Sequence, residues 1–260
     1  MSTRERFPDL PKMPKLPLGD GELARRIELA REPEPEPVSR PTLWRMASEL
    51  QHLAEPFRRP FRTLNVEACD NPQIVLILPG FATSASRMRY MARQIERARH
   101  KAKRWKLGWN WGPSDTTLDR LSDRLDEVFA RYDRPAVLLG WSLGGLYARE
   151  LAKRKPELVS KVITMGTPFS GSPRANNVWR LYQFVTGHRV DKPPVEGDFA
   201  VKPPVETVAL WSPNDGAIAP RSAAGYPGER DRAIALRCTH MGFSYSPEAI
   251  QAVLSELRRC

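Results

Sequence analysis

The rhythm of apolar and polar positions changes twice along this chain. Residues 1–41 are polar and punctuated by proline, at 8, 11, 14 and 17 and again in the run REPEPEPVSRP of residues 31–41. A proline at every third position favours extended polyproline backbone, so residues 1–18 read as a disordered tail and 31–41 as a spacer. Residues 21–31 between them read as a short helix. Over 42–57, Leu43, Met46, Ala47, Leu50, Ala54 and Phe57 recur at helical spacing. This predicts one amphipathic helix, with Thr42 as its N-cap and its apolar stripe packed on the main domain. The sharper alternative is a stripe that borders a substrate entrance or meets a membrane.

From residue 73 short aliphatic runs alternate with helical stretches. Strands are predicted at 74–78, 105–109, 136–139, 159–165, 207–211 and 233–237. Helices are predicted at 85–101, 117–132, 143–154 and 247–259. Continuous aliphatic runs such as IVLIL suit strands buried on both faces. The alternation predicts an α/β fold: a mostly parallel sheet flanked by helices on both faces, with a proline-rich N-terminal extension. The expected division is an extension over 1–72, tail plus amphipathic helix, and a domain over 73–260 with a short insertion at 170–205.

Composition changes this picture in two places. The net charge is +11, and residues 87–106 hold nine Lys or Arg against one acid, Glu96. No zinc-ligand spacing or RNA-binding signature accompanies the charge, so nucleic acid is not expected as a partner. The basic run reads as a solvated helix, or as attraction to an anionic membrane or substrate. The three cysteines, Cys69, Cys238 and Cys260, are scattered and form no metal or disulfide pattern. They suit a reducing compartment. The first 20 residues lack the apolar core of a signal peptide. A cytoplasmic protein is expected, with peripheral contact at the inner membrane face left open.

The chemistry concentrates at Gly140-Trp141-Ser142-Leu143-Gly144. This G-x-S-x-G run follows an aliphatic strand and opens a helix, the context in which a serine is presented on a sharp turn at the sheet's C-terminal edge. A serine hydroxyl needs a base to take its proton, and the base needs a carboxylate to orient it. Of the two histidines after Ser142, His240 follows the last predicted strand and precedes the final helix. His188 sits in the proline-rich insertion and reads as a surface residue. Asp215 directly follows the strand TVALW, which puts it on the same rim; its alternative is a turn aspartate supporting Gly216. The developing oxyanion needs two donors. The N–H of Leu143 follows the nucleophile, and the N–H of Phe81 lies in the Pro79-Gly80-Phe81 turn after the first strand.

The segments LPGF, GWSLGG, MGTPFSG, SPNDG and THMGF resemble, in this order, those of α/β hydrolases, and the chain is similar to a bacterial lipase or esterase over residues 73–260. The resemblance implies a serine hydrolase of carboxylic esters working through an acyl-enzyme. Its catalytic residues would be Ser142, Asp215 and His240, with an oxyanion hole at Phe81 and Leu143. Trp141 and Phe169 would line a site for a small-molecule or lipid ester with a medium-to-long acyl chain. No metal or organic cofactor is expected. An acyltransferase or thioesterase with the same triad, or a non-catalytic binding protein of this fold, stays open.

Overall fold

The computed structural model describes residues 20–34, 38–58, 64–195 and 197–259. The proline-rich tail and the middle of the 31–41 spacer lie outside the described residues. Along the chain the strands are β1 (Ile74–Leu78), β2 (Thr83–Ser84), β3 (Lys101–Arg104), β4 (Trp109–Asn110), β5 (Ala136–Trp141), β6 (Val159–Met165), β7 (Glu206–Trp211) and β8 (Arg232–Ala235). Six of them form one sheet in the order β3-β1-β5-β6-β7-β8, with every neighbouring pair parallel. β2 and β4 form a separate antiparallel ribbon.

Strand side chains alternate between two cores. Val75, Ile77, Val137, Leu139 and Trp141 join Met91 and Ile95 of α4 (Arg89–Arg97) and Ile250 and Val253 of α9 (Pro247–Arg258), which follows the short α8 (Pro220–Ala224). On the other face Leu76, Leu78 and Leu138 meet Leu121 and Leu125 of α5 (Thr117–Tyr132) and Tyr147 and Leu151 of α6 (Leu143–Arg154). Each such aliphatic side chain, taken fully out of water, contributes about 1.5–3 kcal/mol. The sheet with helices on both faces is the predicted α/β architecture.

The order reverses at β1, which pairs with β3 on one side and β5 on the other. Strand-end loops diverge at such a switch point and leave a crevice. The loops that leave it here are Pro79-Gly80-Phe81 after β1 and Ser142 after β5.

Three local predictions need correction. Most of the strand expected at 105–109 is irregular, with only Trp109 entering β4: Lys106 and Gly108 take φ of 63° and 78°, and the buried Trp105 indole donates to the Gly108 carbonyl at 3.1 Å. The real strand is the preceding KAKR, which pairs only with β1. An edge strand tolerates charge and lacks the aliphatic signature of a central one. The helix expected at 85–101 is limited to the nine residues of α4 and is followed by Arg99 at φ 72°. The single helix expected at 42–57 is α2 (Leu43–Ser48), a 3₁₀ stretch (Glu49–Ala54) and α3 (Glu55–Arg58). Its apolar stripe does not pack on the domain: Leu43, Leu50 and Phe57 are exposed, while Glu49 and Glu55 are buried. Periodicity fixed the spacing of the stripe but not which side faces inward.

The remaining extension wraps the insertion. α1 (Asp20–Arg31) packs along α7 (Trp179–Thr186). Arg26 donates to the carbonyls of Phe184 and Val185 at 3.0 and 2.5 Å, and Gln183 donates to Leu29 at 2.5 Å. Arg174 donates to Glu32 at 2.9 Å. No helix among the described residues is long and apolar enough to cross a membrane.

Candidate active site

β5 ends in a backbone that is unusual for its residue. Ser142 has φ 53° and ψ −124°, a conformation costing about 1–3 kcal/mol for a residue with a Cβ. Two contacts hold it there: its N–H donates to Met165 at 2.8 Å, and its carbonyl accepts from Gly145 at 2.9 Å. α6 begins at the next residue. The turn is possible because Gly144 has no side chain; a Cβ there would lie 2.3 Å from the Leu78 carbonyl oxygen. The elbow therefore presses against the end of β1, where the Phe81 loop starts.

Leu143 opens α6, so its N–H has no intrahelical partner. The loop carrying Phe81 is braced from β4. The Asn110 side chain donates to the Pro79 carbonyl at 2.7 Å, its backbone carbonyl accepts from Ala82 at 2.7 Å, and Tyr147 donates to its side-chain oxygen at 3.3 Å. The Thr83 hydroxyl donates to the Gly80 carbonyl at 2.7 Å. Asn110 was not singled out from the sequence; an asparagine among tryptophans carries no motif.

Asp215 lies beyond the end of β7 and is fully buried. Its Oδ1 accepts from the N–H groups of Ala217 and Ile218 at 2.9 and 2.7 Å, which fixes the carboxylate in its turn. Its Oδ2 accepts from His240 Nδ1 at 2.8 Å. Both the expected partner and the turn-supporting alternative thus describe this residue. With the Nδ1 proton committed to Asp215, Nε2 is left as the basic nitrogen. Burial alone would lower the His240 pKa. The charge and hydrogen bond of Asp215, with the charge of Glu49, outweigh it and raise the imidazole above its ordinary value.

Three observations bring Ser142 into the neighbourhood of this pair. A Cβ on Gly166, the residue after β6, would lie 3.0 Å from both Asp215 Oδ2 and His240 Nδ1, and Gly166 follows the residue that accepts from Ser142. Trp141, immediately before Ser142, donates its indole N–H to the His240 carbonyl at 3.2 Å. Its ring centroid lies 5.6 Å from the imidazole. Among the described residues no hydrogen bond joins the Ser142 hydroxyl to His240. Such bonds often tighten only with substrate in place.

The most consequential residue missed by sequence reasoning is Glu49, in the N-terminal extension. Its Oε1 accepts from the N–H groups of Gly216 and His240 at 2.9 and 2.7 Å, and its Oε2 from Met241 at 2.8 Å. One buried carboxylate thus ties together the loops that carry Asp215 and His240. No signal announced it, since a glutamate in an amphipathic helix ordinarily faces water.

Ser142 borders a cavity of about 100 Å³. Its walls are Phe81, Leu146, Tyr147, Trp179, Tyr182 and Phe199, among others. α7 and its flanking loops, inside the 170–205 insertion, supply much of the roof. Trp141 and Phe169 do not line it, which corrects that expectation. Trp141 belongs to the opposite face of β5, in the core with α9. Phe169 is buried beneath the Arg149 guanidinium, 4.2 Å from its ring centroid. His188 is exposed in the insertion, as read from sequence.

Comparison with known proteins agrees with this fold. Residues 73–191 match the family model described as the alpha/beta hydrolase fold. The chain is 47% identical over 47 residues to a pimeloyl-[acyl-carrier protein] methyl ester esterase of Pectobacterium carotovorum, covering 18% of this chain and 18% of that protein. It is 33% identical over 69 residues to the Shewanella woodyi protein of the same name, covering 26% and 27%. The chain thus spans well under two thirds of these curated relatives. Among solved structures, it is similar to a Paleococcus ferrophilus monoacylglycerol lipase at TM-score 0.53 and 14% identity, covering 76% of this chain and 99% of that one. It is also similar to the mature Bacillus licheniformis lipase BlEst2 at TM-score 0.53 and 14% identity, covering 74% and 96%. At these identities the structural likeness establishes the fold.

Proposed function

The protein has the α/β-hydrolase fold, and from that premise we propose that it is a serine hydrolase of carboxylic esters with Ser142 as nucleophile. The observation that carries this reading is the strained Ser142 at the switch point, open to an apolar cavity and neighbouring the 2.8 Å His240–Asp215 hydrogen bond.

The acyl part of the ester enters the cavity between α6 and α7, and its carbonyl oxygen points at the N–H groups of Phe81 and Leu143. His240 Nε2 takes the Ser142 proton as Oγ bonds to the carbonyl carbon. The oxyanion forms against the two backbone donors. Collapse breaks the bond to the alcohol oxygen, which leaves with the proton from His240. A water then gives its proton to His240 and attacks the acyl carbon. The acid is released and the proton returns to Ser142. Asp215 holds the imidazole in the required tautomer and stabilises the imidazolium. The side-chain amide and the backbone carbonyl of Asn110 hold the Phe81 loop still while charge develops there.

Hydrolysis of a chain-length series of p-nitrophenyl esters, measured across pH, tests the reading. His240 works as a base only when neutral, and its pKa is raised. Activity is therefore lost on acidification at a pH above the ordinary imidazole value of about 6.5. The expected result is turnover with that acid limb and a preference for apolar acyl groups. Failure to hydrolyse any member of the series, or a rate flat through this range, contradicts it. Labelling of Ser142 by a phosphonate without turnover would move the assignment to acyl transfer.

A further inference from the structure

The segment 43–58 is folded inside out for a water-facing surface. Its two acids, Glu49 and Glu55, are 6% and 4% exposed, whereas Trp44, Leu43 and Phe57 are 83%, 81% and 78% exposed. Leu50 and Leu53 are also exposed. Scattered exposed apolar residues are ordinary, but five large ones on a 15-residue stretch mark a surface meant to be covered. We propose that this face, Leu43, Trp44, Leu50, Leu53 and Phe57, docks on an anionic lipid surface.

The choice of occupant rests on charge and length. With both acids turned inward, the ionic side chains the segment exposes are Arg45 and Arg58. The whole chain carries +11. Arg87, where the basic run of the sequence begins, stacks on Tyr245 at 5.7 Å, and the charges of Glu55 and Arg87 both act on that tyrosine. The basic run thus starts beside this segment, at its buried acidic side. Leucine, tryptophan and phenylalanine rimmed by arginine suit the boundary between headgroups and acyl chains. The helical pieces of 6, 6 and 4 residues are far too short to span a bilayer and suit a segment lying in its plane. A purely apolar protein partner would gain nothing from the arginines.

The anchoring is also mechanical. Glu49 binds Gly216, His240 and Met241 from the inner side of the same segment. The carbonyl of Arg45 packs against Gly216, where a Cβ would lie 2.2 Å away. A surface that holds this segment therefore sits close to the loops of the candidate site. Binding is read without any substrate, so this proposal stands or falls apart from the ester reading.

The test is co-sedimentation of the full chain with phosphatidylcholine vesicles, with and without phosphatidylglycerol. Trp44→Ser/Phe57→Ser is compared with wild type; both side chains are exposed, so the fold is retained. Wild type should partition onto the anionic vesicles, less so at high salt. The double variant should lose at least about tenfold in partitioning, as expected for removing two large side chains from an apolar contact. Arg45→Gln/Arg58→Gln should reduce the preference for phosphatidylglycerol. Absence of wild-type binding to either vesicle, or equal binding by the Trp44/Phe57 variant, overturns the proposal. So does light scattering that shows a wild-type dimer made monomeric by the double variant, because a second copy would then cover the face.

Discussion

Ser142→Ala lowers kcat for ester hydrolysis by about four to six orders of magnitude, with the substrate still bound. This corresponds to about 5–8 kcal/mol of lost transition-state stabilisation. The size follows from chemistry: without the hydroxyl there is no acyl-enzyme, and only the backbone donors and binding remain. Folding stability changes little, by about 0.5 kcal/mol or less. Among the described residues the Ser142 hydroxyl makes no hydrogen bond, and alanine inherits the same backbone at φ 53°. Matched thermal melts and single-turnover kinetics check both halves. A folded Ser142→Ala variant that retains even a hundredth of wild-type turnover would place the nucleophile elsewhere.

Glu49 carries the second large effect, in two separable parts. Glu49→Ala strips the acceptor from three N–H groups on the two site loops. Leaving buried donors unpaired costs about 1–3 kcal/mol each, so the variant loses at least about 3 kcal/mol of stability. Glu49→Gln is the informative partner. Its amide oxygen can keep the Gly216 and His240 bonds, while its NH₂ meets the Met241 N–H donor to donor. It also removes a negative charge that helps to raise the His240 pKa. The acid limb of the pH–rate profile therefore moves to lower pH, a shift that loosened packing alone would not produce. A loop misplaced by about 1 Å costs up to a hundredfold in rate, so kcat falls while KM stays near wild type. An unmoved limb with unchanged kcat would make Glu49 a bystander.

The elements legible in the sequence are those whose pattern is local. The helix Thr117–Tyr132 has the predicted bounds because its apolar face repeats at helical spacing and Asp133 ends it in a left-handed turn. The switch-point elbow was legible because two glycines must flank a serine that enters a helix at that angle. Asp215 and His240 were readable as neighbours because each follows a strand in a parallel sheet, which brings their loops to one rim. What escaped depends on distant contacts. Glu49 is separated by 167 residues from Gly216 and 191 from His240, and nothing around it in the sequence marks its target. Trp141 was assigned to the cavity because it adjoins Ser142, but alternation along a strand sends adjacent side chains to opposite faces. The helical form of α7 was equally hidden, since a proline-rich insertion carries no periodicity long enough to announce a helix held down by α1.

The most direct test of the account is labelling of the folded wild-type chain with a fluorophosphonate, followed by mass spectrometry of the modified peptide. This reports nucleophile activation without knowledge of the natural substrate. A single adduct on Ser142, lost in Ser142→Ala and slowed on the same acid limb as turnover, is the predicted result. No adduct under conditions where the protein is folded, or an adduct on another residue, would contradict the assignment of Ser142, His240 and Asp215.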